Sequence, residues 1–63
     1  MILKAKVLEV PSSDNGYKYK IADSDSKIYW LTTQEVPGTV KVNDFGTLTY
    51  LHSPSRGWWS FSL

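Results

Sequence analysis

The 63-residue chain contains no cysteine, so it has no disulfide bond, no thiolate nucleophile and no cysteine-based zinc site. Many small secreted domains depend on disulfide bonds, and their absence here favours a reducing compartment. No apolar run is long enough for a membrane-spanning helix or a signal peptide, since Lys4 interrupts the hydrophobic segment Met1–Leu3. We therefore expect a cytoplasmic protein with no membrane partner.

The chain also lacks a large excess of charge of either sign. Seven basic and six acidic residues give a net charge of +1, which is too small to indicate a nucleic-acid-binding protein by bulk charge. The contents of 41% hydrophobic and 14% aromatic residues are typical of a packed globular chain. A chain of this length forms one domain, residues 1–63.

Residues with catalytic potential are few. His52 is the single histidine, and nothing in the spacing of serines and carboxylates around it indicates a nucleophilic triad. Asp23 and Asp25 lie in a predicted turn, where short carboxylates usually bond the local backbone rather than act as acid and base. We expect no enzymatic activity and no catalytic residues.

Cofactor motifs are missing as well. The Asp23-x-Asp25 spacing opens like a calcium loop, but Lys27, Ile28 and Gln34 stand where that loop needs an oxygen ligand, a glycine and a glutamate. The four glycines are scattered singly and form no phosphate-binding or dinucleotide-binding motif. We expect no bound metal and no cofactor.

Alternation of apolar and polar residues with a period of two is the strongest pattern that is present. Residues 2–10 alternate and predict a first strand, with Leu3, Ala5 and Val7 on its inward face. The turn formers that follow include Asn15-Gly16, which is suited to positive φ, and predict a hairpin loop. Residues 17–23 alternate again and predict a second, antiparallel strand. Its inward residues are predicted to be Tyr17, Tyr19 and Ile21.

Three more strands are predicted in the rest of the chain. Residues 27–33 are almost continuously β-prone, and we favour a register with Tyr29 and Leu31 inward. Residues 34–45 form an irregular connector, and residues 46–51 predict a fourth strand. Residues 58–63 predict a fifth strand, and no segment has helical periodicity. The inward face of the fifth strand is predicted to carry Trp59, Phe61 and Leu63.

Five short strands leave unpaired edges unless the sheet curls, so we predict an all-β fold, a small five-stranded antiparallel barrel. A three-strand meander, a connector and a final hairpin resemble the strand pattern of a minimal OB-fold. The connector carries Pro37 and Gly38 where an OB-fold usually has a helix, and this difference keeps an SH3-like barrel as an alternative. The resemblance covers nearly the whole chain and rests on strand number and spacing alone.

The outward faces of the predicted strands suggest a binding surface. With the inward residues assigned as above, four lysines share the outer face of the first two strands, and Trp30 joins them from the third. Trp58 is predicted to lie at the margin of this face beside Arg56. Ammonium groups that follow phosphates, together with rings that stack on bases, suit single-stranded DNA or RNA. The candidate residues are Lys4, Lys6, Lys18, Lys20, Trp30, Arg56 and Trp58.

Other interpretations remain open from the sequence. Lysines on an outer sheet face are ordinary solvated residues that discourage aggregation, and Trp30 and Trp58 could instead belong to the core. The segment Arg56-Gly57-Trp58-Trp59 also suits a protein interface, including self-association through this region or through an edge strand. Oligosaccharide binding is a third alternative, since OB-type barrels also bind sugars.

Overall fold

The computed structural model describes all 63 residues and contains one antiparallel sheet of five strands and no α-helix. A single 3₁₀ turn, Ser13–Asn15, lies between the first two strands. The all-β prediction is confirmed. The strands are β1 (Ile2–Glu9), β2 (Tyr19–Asp23), β3 (Ile28–Leu31), β4 (Phe45–Ser53) and β5 (Arg56–Ser62).

The sheet has the strand order β3-β2-β1-β4-β5 and is strongly curled into a half-barrel. Its two end strands meet without forming a ladder. The Phe61 N–H donates a hydrogen bond of 2.9 Å to the Glu35 carbonyl, just beyond β3, and the rings of Tyr29 and Trp59 meet edge to face at 5.0 Å. The curled sheet is a small barrel-like fold, which agrees with the prediction of a small five-stranded antiparallel barrel.

The core lies on the concave side of the sheet. Phe61, Ile21, Leu48 and Val7 are its largest fully buried side chains. The predicted inward register of β3 is confirmed, because its alternate residues are buried. The complete buried set is Ala5, Val7, Tyr19, Ile21, Tyr29, Leu31, Val36, Val40, Leu48 and Phe61.

The connector between β3 and β4 contributes two core residues that the sequence pattern did not predict. Val36 and Val40 are 4% and 5% exposed, although the segment that carries them is not part of any strand. Turns hold the segment in shape, with the Val40 N–H bonded to the Pro37 carbonyl at 3.2 Å. This irregular segment therefore contributes to the core where an OB-fold usually places a helix.

The prediction that Tyr17 faces the core is wrong. β2 begins at Tyr19, while Tyr17 lies in the preceding loop and is 65% exposed. Gly16 and Tyr17 both adopt left-handed backbone angles, with φ of 71° and 59°, and this reverses the chain before β2 can start. Lys18 lies in the same loop, where its N–H donates to the Asn15 side-chain oxygen at 3.2 Å. Leu63, also predicted inward, lies beyond β5 and is exposed.

The β4–β5 hairpin is longer than predicted, because β4 starts at Phe45 and only Pro54 and Ser55 form its turn. The last contact between β4 and the N-terminal segment is the bond from the Tyr50 N–H to the Met1 carbonyl, at 2.9 Å. Beyond it, residues 51–53 of β4 pair only with residues 56–58 of β5. The tip of the hairpin thus extends past the end of β1.

Candidate nucleic-acid interface

Lys20 and Trp30 form the first pair on the convex side of the sheet. They are direct neighbours in the register of β2 and β3, and the Lys20 ammonium lies 5.6 Å from the centroid of the Trp30 ring. The ring is 49% exposed. A register shift in β1 between Val7 and Glu9 sets Glu9 opposite Lys20, and the carboxylate lies 3.6 Å from the ammonium. Lys20 therefore contacts both a carboxylate and an aromatic face.

Lys6 and Phe45 form a second pair of the same kind. They are neighbours in the register of β1 and β4, and the Lys6 ammonium lies 5.7 Å from the centroid of the Phe45 ring. Phe45 is 73% exposed, the most exposed aromatic side chain of the protein. The sequence pattern did not predict it as a site residue, because residues 34–45 were assigned to the connector. The sequence signal that could have identified it is the spacing of two residues between Phe45, Thr47 and Thr49, which places the three side chains on the same side of β4.

These pairs lie on one continuous surface, which we call the Lys-aromatic face. One row of neighbouring residues crosses four strands, from Ile28 through Ala22 and Lys6 to Phe45. With a strand spacing of about 4.8 Å, this row is roughly 14 Å long. Lys20 and Trp30 lie in the adjacent row. The Lys-aromatic face comprises Ile28, Trp30, Lys20, Ala22, Lys6 and Phe45.

The remaining predicted site residues are distributed unevenly. Lys4 is exposed on the same side of β1 as Lys6, opposite Thr47. Lys18 is exposed in the loop before β2. Arg56 and Trp58 lie on β5, where the guanidinium carbon is 5.1 Å from the centroid of the indole ring. β4 separates this pair from β1, so the structure does not place Arg56 and Trp58 on the Lys-aromatic face.

The register prevents repulsion between the lysines. Across the ladders, Lys6 faces Ala22 and Phe45, Lys20 faces Glu9 and Trp30, and no lysine is directly opposite another. The contact between Lys20 and Glu9 is the single ion pair of the protein. The ammonium groups of Lys4 and Lys6 thus have no carboxylate partner and are free to meet an anionic ligand.

Asp23 has a structural role at the turn between β2 and β3. Its carboxylate accepts hydrogen bonds from the N–H groups of Asp25 and Lys27, at 2.8 and 3.0 Å, and from the Tyr29 hydroxyl at 2.9 Å. Desolvation acts to raise the pKa of Asp23, but these hydrogen bonds outweigh it and lower the pKa below its ordinary value. Desolvation and the bond to Asp23 raise the pKa of Tyr29. The local hydrogen-bonding interpretation of Asp23 is confirmed.

His52 lies on the other side of the sheet from this face. It alternates with Leu51 along β4, and its ring stacks on that of Tyr50 with 6.4 Å between centroids. Three or more histidine, aspartate or glutamate side chains come together nowhere in the protein in a way that could hold a metal ion. None of its helical segments has the length and apolar character needed to cross a membrane.

Comparison with protein-family models, with curated proteins and with solved structures found no match to this chain.

Proposed function

We propose that this protein is a non-enzymatic, cytoplasmic module that binds single-stranded DNA or RNA on the Lys-aromatic face. The observation that carries the proposal is the pair of exposed rings, Trp30 and Phe45, each with a lysine ammonium within 6 Å on the same side of the sheet. Flat rings stack on bases of any sequence, and ammonium groups beside them neutralise phosphates.

The spacing of the two rings suits an extended strand. Trp30 and Phe45 are three strands apart and two residues out of line, which separates them by roughly 16 Å. A chain of about four nucleotides spans such a distance, and this is the lower end of the site sizes of OB-type barrels. Lys6 and Lys20 lie between the rings, where the backbone phosphates would pass.

Solvation alone explains the lysines but not the rings beside them. An antiparallel sheet commonly carries lysine on its outer face, and Lys4 needs no other reason to be there. Exposed apolar side chains lie at both ends of the surface that carries Lys6 and Lys20, Ile28 and Trp30 on β3 and Phe45 on β4, and exposed apolar groups of this kind mark binding sites. This combination favours a ligand that is both planar and anionic.

A titration followed by NMR tests this function. Isotope-labelled protein is mixed with single-stranded DNA and then RNA of mixed sequence, at low and at moderate salt. We expect salt-sensitive amide shifts in β1, β2, β3 and the start of β4, together with a shift of the Trp30 indole. The absence of any shift at low salt, where attraction to phosphate is strongest, would reject nucleic-acid binding. Shifts confined to β5 would reject the Lys-aromatic face as the site.

A further inference from the structure

β5 is an end strand with little of the usual protection against pairing with another chain, since Arg56 at its start is its only charged residue and only its last residues contact the connector, through Phe61 and Glu35. Natural edge strands are short, bulged, or carry lysine or proline. β5 is seven residues long, contains neither lysine nor proline, and pairs with β4 without a register shift. At the other end of the sheet, β3 has only four residues and is preceded by Lys27. The two ends therefore differ, and β5 is the one open to pairing.

The backbone groups that β5 offers can be identified from its hydrogen bonds. Successive residues of an antiparallel strand direct their N–H and C=O groups to opposite sides. The backbone N–H of Phe61 is directed away from β4, because it donates a hydrogen bond to the Glu35 carbonyl. The backbone N–H groups of Trp59 and Gly57 are therefore directed away from β4 as well. Neither of them donates a hydrogen bond to a backbone carbonyl outside the β4–β5 hairpin.

The ends of this free edge determine a register. On one side the edge is limited by the turn at Pro54 and Ser55, and on the other by the contact between Phe61 and Glu35. The free stretch is residues 56–60, and its central residue is Trp58. The free N–H and C=O groups belong to Gly57 and Trp59, one residue on each side of Trp58. This symmetric arrangement allows the edge to pair with an identical edge in antiparallel orientation.

We propose that β5 pairs antiparallel with β5 of a second copy of this chain, across a two-fold axis at Trp58. In this register Gly57 lies opposite Trp59 of the second copy, and the two such pairs form four backbone hydrogen bonds. The two Trp58 side chains face each other on the convex side. Because the free edge is complementary to itself, a second copy of the chain is the partner that fits it. The resulting interface is isologous, with the same surface of both subunits in contact.

The side chains around the axis support the same contact. Trp58 is a direct neighbour of Leu51, which is 41% exposed, on the convex side of the hairpin. Ile2 lies on the same side of the sheet, on β1 opposite Thr49, in the row of residues next to that of Leu51 and Trp58. Its side chain is 70% exposed. These residues form an apolar patch around the axis. The dimer joins two five-stranded sheets into one, with a Lys-aromatic face near each outer end.

Ser60 allows a charge test that is specific to this register, because it lies opposite Arg56 of the second copy. Sedimentation of the full chain without nucleic acid, from low micromolar to millimolar concentration, is expected to show a monomer–dimer equilibrium. Ser60→Glu adds two opposite-charge pairs and is expected to lower the dissociation constant roughly 2- to 30-fold, while Ser60→Lys raises it by a similar factor. Ser62→Glu and Ser62→Lys, outside the paired stretch, are the matched controls.

Two outcomes would overturn the dimer. One is a wild-type protein that stays monomeric over the whole concentration range. The other is dimerisation in which the two Ser60 variants change the dissociation constant in the same direction, or no more than the Ser62 variants do. Because nucleic acid is absent, either outcome leaves the proposed function unaffected.

A disulfide provides a second test that does not depend on charge. The chain has no cysteine, so Trp58→Cys introduces a single thiol. Directly opposite residues at a non-hydrogen-bonded position have Cα atoms about 4.5 Å apart, within the range that a disulfide spans. In a glutathione redox buffer we expect a covalent dimer for Trp58→Cys and far less for Ser62→Cys. Equal cross-linking of the two variants would contradict the axis at Trp58.

Discussion

The ring of Phe61 packs directly against the backbone of Gly46. The two residues lie on neighbouring strands, β5 and β4, and a Cβ atom at position 46 would collide with the ring and with the Ser62 carbonyl oxygen. Phe61 is only 1% exposed, and its own N–H is bonded to Glu35. The ring therefore has little room to move, and the close approach of β4 to β5 depends on glycine.

Gly46→Ala is expected to lower the free energy of unfolding by about 1–3 kcal/mol, because the new methyl group overpacks the core against Phe61. Denaturation by urea, followed by tryptophan fluorescence, measures the change. Gly38→Ala is the matched control, since no atom lies within 4 Å of the position that its Cβ would take. Equal urea midpoints for the two variants would show that the Phe61 ring can shift to accommodate the methyl group at little cost in stability.

Asp23→Asn is expected to make the protein less stable at neutral pH. A carboxyl group whose pKa is lowered by folding stabilises the protein above the pKa of the unfolded chain, and this contribution is lost as the pH falls through the folded pKa. The variant and the wild-type protein should therefore approach the same stability in strong acid. Denaturation curves from neutral to acidic pH test this expectation.

Asp25→Asn serves as the control for the acid dependence. Asp25 is exposed, and its carboxylate makes no hydrogen bond, so this variant should keep the wild-type dependence on pH. If Asp25→Asn also removed the acid dependence, the hydrogen bonds that Asp23 accepts would not be its source.

Trp30→Ala and Phe45→Ala are each expected to weaken binding of single-stranded nucleic acid. Stacking of one base on an aromatic side chain contributes about 1–3 kcal/mol, so each loss should raise the dissociation constant roughly 5- to 150-fold. Fluorescence anisotropy of a labelled oligonucleotide measures it. His52→Ala removes an exposed aromatic residue from the other side of the sheet and should bind like the wild-type protein. Comparable losses in all three variants would place the ligand elsewhere.

Lys6→Gln combined with Lys20→Gln is expected to weaken binding and to reduce its dependence on salt. Each phosphate contact with a single strand contributes about 0.7 to the slope of log K against log salt concentration, so the slope should decrease by about 1.4. Lys41→Gln removes a positive charge from the exposed part of the connector and should leave most of the slope intact. An unchanged slope in the double variant would mean that neither lysine meets a phosphate.

Several parts of the fold follow from short stretches of sequence. The alternation around Ala5 and Val7 identified the buried side of β1, and the preference for Tyr29 and Leu31 as inward residues identified the register of β3. Both succeeded because side chains of a strand point alternately to its two sides, whatever the strand pairs with. Tyr17 was predicted wrongly because two left-handed residues in succession shifted the start of β2.

Other features depend on contacts that are distant in the sequence. Val36 and Val40 have no strand periodicity around them, and they are buried because the connector packs against the concave side of the sheet. Glu9 reaches Lys20 only because β1 contains a register shift. None of these contacts can be derived from the spacing of neighbouring residues.

The sequence by itself determined that the protein is all-β and which side of β1 faces the core, because a period of two is a local property of the backbone. Only the tertiary structure decided which outward residues become neighbours. The order of the strands brings Phe45 to Lys6 and separates Trp58 from the lysines, since β4 lies between β1 and β5. Strand order depends on long-range pairing and on the curl of the sheet, and both arise from burying one common core.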